Sequence, residues 1–155
     1  MATRSTIALE FADGTVQQVY CHWDGYLDNN GKLLQEYYMD PFKVRDLMDL
    51  GDISSLRPEI GTQHPFSQFD TKMPEDVFRA MFDNMTTFFG RDRGETGTDS
   101  KKFANFEEYV VEHQYEEYEY ILRTDGKWYV CFYKTEGKYI TLEEAFAVEK
   151  ETEEV

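Results

Sequence analysis

Residues 5–23 read STIALEFADGTVQQVYCHW. Ile7, Leu9 and Phe11 alternate with small or polar residues, the period of a β-strand. Asp13-Gly14 then supplies the φ > 0 pair of a two-residue turn, so the stretch is predicted to be a β-hairpin. A two-residue loop fixes the register. Ala12 faces Thr15 and Phe11 faces Val16, and continuing outward sets Ser5 opposite His22 and Arg4 opposite Trp23. The open end of the hairpin becomes one surface contributed by both segments.

Working outward, Asp24 to Gly31 is rich in turn formers, and Leu33, Leu34, Tyr37 and Tyr38 follow at helical spacing. Asp40-Pro41 reads as an N-cap and first helical position, with Val44, Leu47 and Met48 as the buried stripe and Gly51 as the stop. Residues 51–72 carry Gly51, Pro58, Gly61 and Pro65 and read as an ordered irregular loop. Pro74 opens a third helix whose Val77, Phe78, Met81, Phe82 and Met85 form a stripe expected to face the core, which makes Phe82 a core side chain. The polar, glycine-bearing segment from Arg91 to Lys102 reads as an exposed loop. Asn105 is placed to cap a short helix with Phe106, Tyr109, Val110 and His113 on one face, a strand being the alternative.

From Tyr115 the pattern turns to β. Tyr118, Tyr120 and Leu122, then Trp128 to Tyr133, then Tyr139 and Ile140 are separated by Thr124-Asp125-Gly126 and Thr135-Glu136-Gly137, which predicts a three-stranded meander. Thr141 and Glu144 have the spacing of a capping box for a last helix carrying Leu142, Ala145, Phe146 and Val148, with a frayed acidic tail at about residues 149–155. The expected architecture is α+β, one domain over residues 1–155: an antiparallel sheet, made of the N-terminal hairpin and the C-terminal meander, packed with several short helices.

The 155 residues, 41% of them hydrophobic, suffice for one sizeable core. Sixteen Lys and Arg against 31 Asp and Glu give a net charge of −15. Such a field repels phosphates and anionic membranes, arguing against direct nucleic-acid binding, and attracts proteins with basic surfaces. Residues 105–155 hold 14 acids and 5 bases, so the acidity concentrates on the meander and last helix. Cys21 and Cys131 sit in apolar or aromatic runs and are expected to be reduced and buried. The opening Met1-Ala2-Thr3-Arg4-Ser5 has neither the basic nor the apolar region of an export signal, and no apolar run reaches membrane-spanning length.

Three constellations carry candidate chemistry. Tyr20-Cys21-His22-Trp23-Asp24-Gly25-Tyr26 is the densest, with Arg4 and Ser5 added by the register. His22 and Asp24 share strand parity, so a base with a carboxylate neighbour is conceivable there, whereas Cys21 points to the other face. Arg91 and Arg93 on a glycine-flanked loop are suited to clamp a carboxylate or phosphate, although the segment is no P-loop. Glu116, Glu117 and Glu119 predict a row of exposed carboxylates along a strand, joined by Glu143 and Glu144 of the last helix as partner-binding candidates able to imitate a phosphate backbone. Three histidines and two dispersed cysteines argue against a zinc site. No cofactor is expected.

Thr3-Arg4-Ser5 with Ile7, Asp13-Gly14, the run Tyr20 to Tyr26, Gly31 with Leu33-Leu34, and Gly51-Asp52-Ile53-Ser54-Ser55-Leu56 together resemble a family of small uncharacterised proteins encoded largely by tailed bacteriophages and occasionally by bacteria. The resemblance covers roughly the first 60 residues, and the Gly90 to Glu95 segment resembles a later family element. It implies a phage or prophage origin and expression in the host cytoplasm, with no implied activity. The leading expectation is a non-catalytic accessory protein that binds and modulates or inhibits a host protein, such as a defence or nucleic-acid-handling factor, through its acidic surface. The alternative is a small enzyme or a protein binding a nucleotide or other phosphate ligand through Arg4, Ser5, His22, Asp24, Arg91 and Arg93. Convergence of the His22 and Arg91 clusters on one pocket separates the two.

Overall fold

The computed structural model describes residues 2–153. Among them eight strands form one mixed sheet, in which β1 (Ser5–Glu10) is flanked by β2 (Val16–Trp23) and β6 (Tyr118–Leu122). Beyond β2 lie β3 (Ile53–Ser55) and β4 (Thr87–Phe88); beyond β6 lie β7 (Trp128–Phe132) and β8 (Ile140–Thr141). A short β5 (Lys101–Phe103) pairs with the first residues of β2. The hairpin, meander and α+β class are as expected. The sheet is not purely antiparallel, because β1 runs parallel to β6 and β2 parallel to β3.

The hairpin turn differs from the expected one. Phe11 N–H donates to Thr15 O at 2.8 Å and Gly14 N–H to Phe11 O at 2.9 Å, so Ala12, Asp13 and Gly14 form a three-residue loop. Gly14 takes φ +91°, the left-handed position that completes such a loop. Asp13 Oδ1 holds it by accepting from Thr15 N at 3.0 Å and Thr15 Oγ1 at 2.7 Å. The register therefore slips by one residue and Ser5 pairs with Cys21. Side-chain parity supplies the reason. In this register Ile7, Leu9, Val19 and Cys21 share one buried face. The two-residue loop would have set Ile7 and Leu9 beside Gln18, Tyr20 and His22.

That face carries the main core, against the helical turn Leu27–Gly31 and helices α1 (Lys32–Tyr37), α2 (Pro41–Leu50) and α6 (Leu142–Glu153). Asp40 caps α2 by accepting from Phe42 N at 2.9 Å, and Thr141 and Glu144 close the expected capping box of α6. Helix α6 continues through residues expected to fray, its Glu149 lying 3.9 Å from Lys134; Glu154 and Val155 lie outside the described residues. The opposite face buries Ala8, Val16 and Ile121 under α5 (Phe106–Glu112), capped by Asn105 Oδ1 from Glu108 N at 2.8 Å as expected. Strands β1 and β6 are thus covered on both sides and bury every residue from Ser5 to Leu9 and from Tyr118 to Leu122.

Three further elements correct the expectation. Residues 51–72 contain β3 as well as irregular chain. The Arg91 to Lys102 loop begins in a short helix, α4 (Phe89–Arg93), ends in β5, and is tied to the core where Asp52 N–H donates to Thr98 O at 2.8 Å. Helix α3 (Glu75–Phe82) is not a core helix: none of its residues is buried, and Val77 and Met81 stay 43% and 53% exposed. The stripe was amphipathic, but the sheet's faces were already covered by α1, α2, α5 and α6.

Phe88 is fully buried whereas Phe82 is half-buried. Phe88→Ala is expected to lower unfolding stability by about 3–5 kcal/mol and Phe82→Ala by about half that or less. Urea denaturation of both variants measures the order, and equal losses would contradict the placement of α3.

Candidate functional site

The open end of the hairpin is assembled from its buried side outward. Asn30, wholly buried, donates from Nδ2 to Ser5 Oγ at 3.1 Å and to Cys21 Sγ at 3.4 Å, joining the turn after β2 to both hairpin strands. Gly25 N–H donates to Thr3 O at 2.8 Å, and a Cβ there would come within 2.6 Å of Ser5 Cβ, so only glycine lets the chain close on β1. Tyr120 OH donates to Gly25 O at 2.6 Å beneath it. Asp24 makes the exit from β2 in the left-handed region, φ +36°, its carbonyl accepting from Asn29 Nδ2 at 2.9 Å.

On the opposite face Arg4, His22 and Trp23 line one cleft, although the pairing expected to bring them together, Ser5 with His22, is absent. An open cleft of about 410 Å³ elsewhere is lined by Trp128, Leu142, Glu143 and Glu144. Here a cleft of about 340 Å³ is lined by Ala2, Arg4, His22, Trp23, Glu116 and Glu117. Tyr20 OH lies 2.6 Å from His22 Nδ1. Burial raises the Tyr20 phenol, Arg4 opposing and Glu116 adding to the shift, so the phenol keeps its proton. Trp23 meets His22 edge-on at 4.8 Å and remains 42% exposed.

No known protein family, curated protein or solved structure matches the chain.

Several sequence candidates do not join this cleft. Ser5 is buried under Asn30, and Asp24 does not line the cleft, His22 Nδ1 being engaged by Tyr20 instead. Arg91 is a structural hub. Its Nε donates to Asp92 Oδ1 at 3.0 Å, Nη1 to Ile60 O at 3.0 Å, and Nη2 to Thr86 O at 2.8 Å. Asp92, wholly buried, also accepts from His64 N and Phe88 N, so the pair staples the 58–64 segment to β4. Arg93, its side chain 47% exposed, pairs with Glu95 at 2.7 Å and lies over the face of Phe66. Neither Arg91 nor Arg93 lines the cleft that holds His22.

The expected carboxylate row also changes. Glu116 and Glu117 precede β6, and Glu119 points inward, 4% exposed, with one carboxylate oxygen in close hydrogen-bond contact with His113 Nε2. His113 Nδ1 donates to Tyr109 O at 2.6 Å, and Tyr139 OH approaches Glu119 Oε2 at 3.5 Å. Burial, with Tyr109 and Glu119 beside it, pushes the Tyr139 phenol far above its ordinary value and keeps it a donor. This His113–Glu119 pair under α5 was missed because the second face of β6 was read as solvated. The signal lay in α5, whose apolar face needs a sheet to cover. Glu119 is unavailable to a partner, and among the described residues no cluster of three metal-ligating side chains occurs.

His113→Ala removes the close partner of the buried Glu119 side chain, leaving only the 3.5 Å approach of Tyr139, and is expected to cost about 3–5 kcal/mol, whereas His22→Ala is expected to change stability by less than about 1 kcal/mol. Thermal and urea unfolding of the two variants measure the contrast. Burial pushes the Cys21 thiol up to about 11 and the Tyr38 phenol up to about 12, against ordinary values of 9.0 and 10.0. Both groups keep their protons in the fold after the unfolded chain has lost them. The resulting stability is complete below about pH 9 and declines as pH rises towards 11, by about 2–3 kcal/mol for Cys21 alone. A urea midpoint that does not fall between pH 8 and 10.5 would contradict this burial.

Proposed function

We propose that this chain is a non-catalytic accessory protein of phage or prophage origin that binds and modulates a host protein through an acidic surface centred on the Trp23 cleft. The observation that carries the reading is the convergence of exposed Trp23 with Glu116 and Glu117 in one open cleft. A solvent-facing indole and two carboxylates together suit a lysine or arginine side chain, through cation–π and ionic attraction. The net charge of −15 would steer a basic partner towards any part of this surface, and the cleft would give the encounter a fixed seat. The phage setting rests on the motif resemblance, and host cytoplasm follows from it; no helix among the described residues is long and apolar enough to cross a membrane.

The phosphate-ligand alternative is disfavoured by the same geometry. Glu116 and Glu117 outnumber Arg4 at the cleft, so its local field opposes an anion, and the guanidinium of Arg91 is consumed inside the fold. A smaller phosphate mimic of two carboxylates, without buried Glu119, is what remains of the expected row.

The test is affinity capture from host lysate with mass spectrometry, at low and high salt, using the wild type, Trp23→Ala and the double variant Glu116→Gln/Glu117→Gln. The wild type is expected to retain a basic protein that high salt releases. The glutamine variant should associate about tenfold more slowly with a flatter salt dependence, and Trp23→Ala should dissociate faster. Capture of one partner by all three proteins, with one salt dependence, would remove the cleft as the binding site.

A further inference from the structure

Helix α3 has an apolar side that the fold does not use. Val77 and Met81, one turn apart, are 43% and 53% exposed, and Phe69, on the turn that leads into the helix, is 90% exposed. The adjoining side of the helix, which carries half-buried Phe78 and Phe82, is the one seated on the fold. Phe78 and Phe82 meet edge-on at 5.1 Å, and Phe82 stacks on His64 at 5.3 Å. His64 in turn donates from Nδ1 to Thr62 O at 2.8 Å, and its backbone N–H donates to Asp92. A cleft of about 120 Å³ lies between α3 and the β3–β4 edge of the sheet, with Phe66, Phe78, Phe82 and Met85 among its walls. The edge of this surface carries more acids than bases: Asp70, Glu75, Asp76 and Asp83 are exposed, against Lys72, Arg57 at the wall of the cleft, and Arg79, which is already paired with Glu75 at 2.7 Å.

We propose that this face docks a short basic amphipathic helix, a second interaction surface separate from the Trp23 cleft. Phenylalanine and methionine side chains form an apolar seat that adapts to differently shaped aliphatic residues, and the acidic edge complements lysines or arginines flanking the partner's apolar stripe. A second copy of this chain is a poor occupant, because two molecules of charge −15 repel and bring the same acidic edge to the contact. The eight residues of α3 span about 12 Å, enough for two to three turns of a crossing partner.

The probe is a fluorescein-labelled Leu/Lys peptide with helical amphipathic spacing, compared at physiological salt with a scrambled peptide of the same composition. The patterned peptide is expected to bind at least about tenfold more tightly. The variant Val77→Glu/Met81→Glu adds two negative charges, so a purely electrostatic contact would strengthen, whereas docking on the apolar face would weaken about tenfold. Trp23→Ala should bind the peptide as the wild type does, which separates failure of this site from failure of the cleft. Hydrogen exchange on the wild type should show protection of residues 75–82 when the peptide is added, a readout independent of any variant's folding. Equal binding of both peptides, unchanged or tighter binding by the glutamate variant, absence of protection in α3, or a wild-type dimer in sedimentation that the variant abolishes would each overturn the proposal.

Discussion

Strand β1 is buried on both faces and hydrogen-bonded on both edges, and the rest of the molecule is arranged to make that possible. Its odd-numbered residues enter the main core and its even-numbered ones the layer beneath α5, so neither half of the chain completes its packing alone. The parallel contact with β6 joins residues 5–9 to residues 118–122 across more than a hundred intervening residues. Parallel neighbours need a long crossover, and here everything from the first turn after β2 to α5 supplies it. The hairpin register is the keystone, because a slip of one residue would exchange the contents of the two faces.

Polar groups brought inside by this arrangement act as fasteners. Asn30 links the exit turn of β2 to Ser5 and Cys21, and the Arg91–Asp92 pair binds an irregular segment and the sheet edge together. The His113–Glu119 pair pins the end of α5 to the second face of β6. In each case several partners satisfy one buried group, which offsets the desolvation that an isolated charge or amide would suffer. Ser5, Arg91 and Glu119, which a linear reading offers as site residues, are thereby committed to structure, while Arg4, His22, Trp23, Glu116 and Glu117 line an open cleft and Val77 and Met81 stay exposed on α3.

The two surfaces differ in kind. The Trp23 cleft lies where the hairpin and the approach to β6 meet, so its geometry depends on long-range strand pairing. Helix α3 belongs to an excursion outside the sheet's covered faces, held by the aromatic stack on His64 and by the Arg91 hub. Under the proposed reading, the same overall field would attract a basic partner to either, while their contents, one mostly charged and aromatic and the other apolar, would favour different parts of it.

The sequence by itself determined the features that depend on residues within about one helical turn or one hairpin: the Asp40, Asn105 and Thr141 caps, the buried stripe of α2, the meander, and the α+β class. Those signals are local because a cap or a turn is satisfied by neighbours in the chain. Even the register was latent there, since the parity of Ile7, Leu9, Val19 and Cys21 opposed the two-residue turn that Asp13-Gly14 suggested. Only the tertiary structure decided that β1 lies between β2 and β6, that Glu119 is buried against His113 while Glu116 and Glu117 join Arg4 and Trp23, that Arg91 is consumed, and that α3 is left uncovered. Each of these turns on which surfaces meet across long sequence separations, and an amphipathic stripe or a charged side chain reads the same whether or not a partner surface is available to bury it.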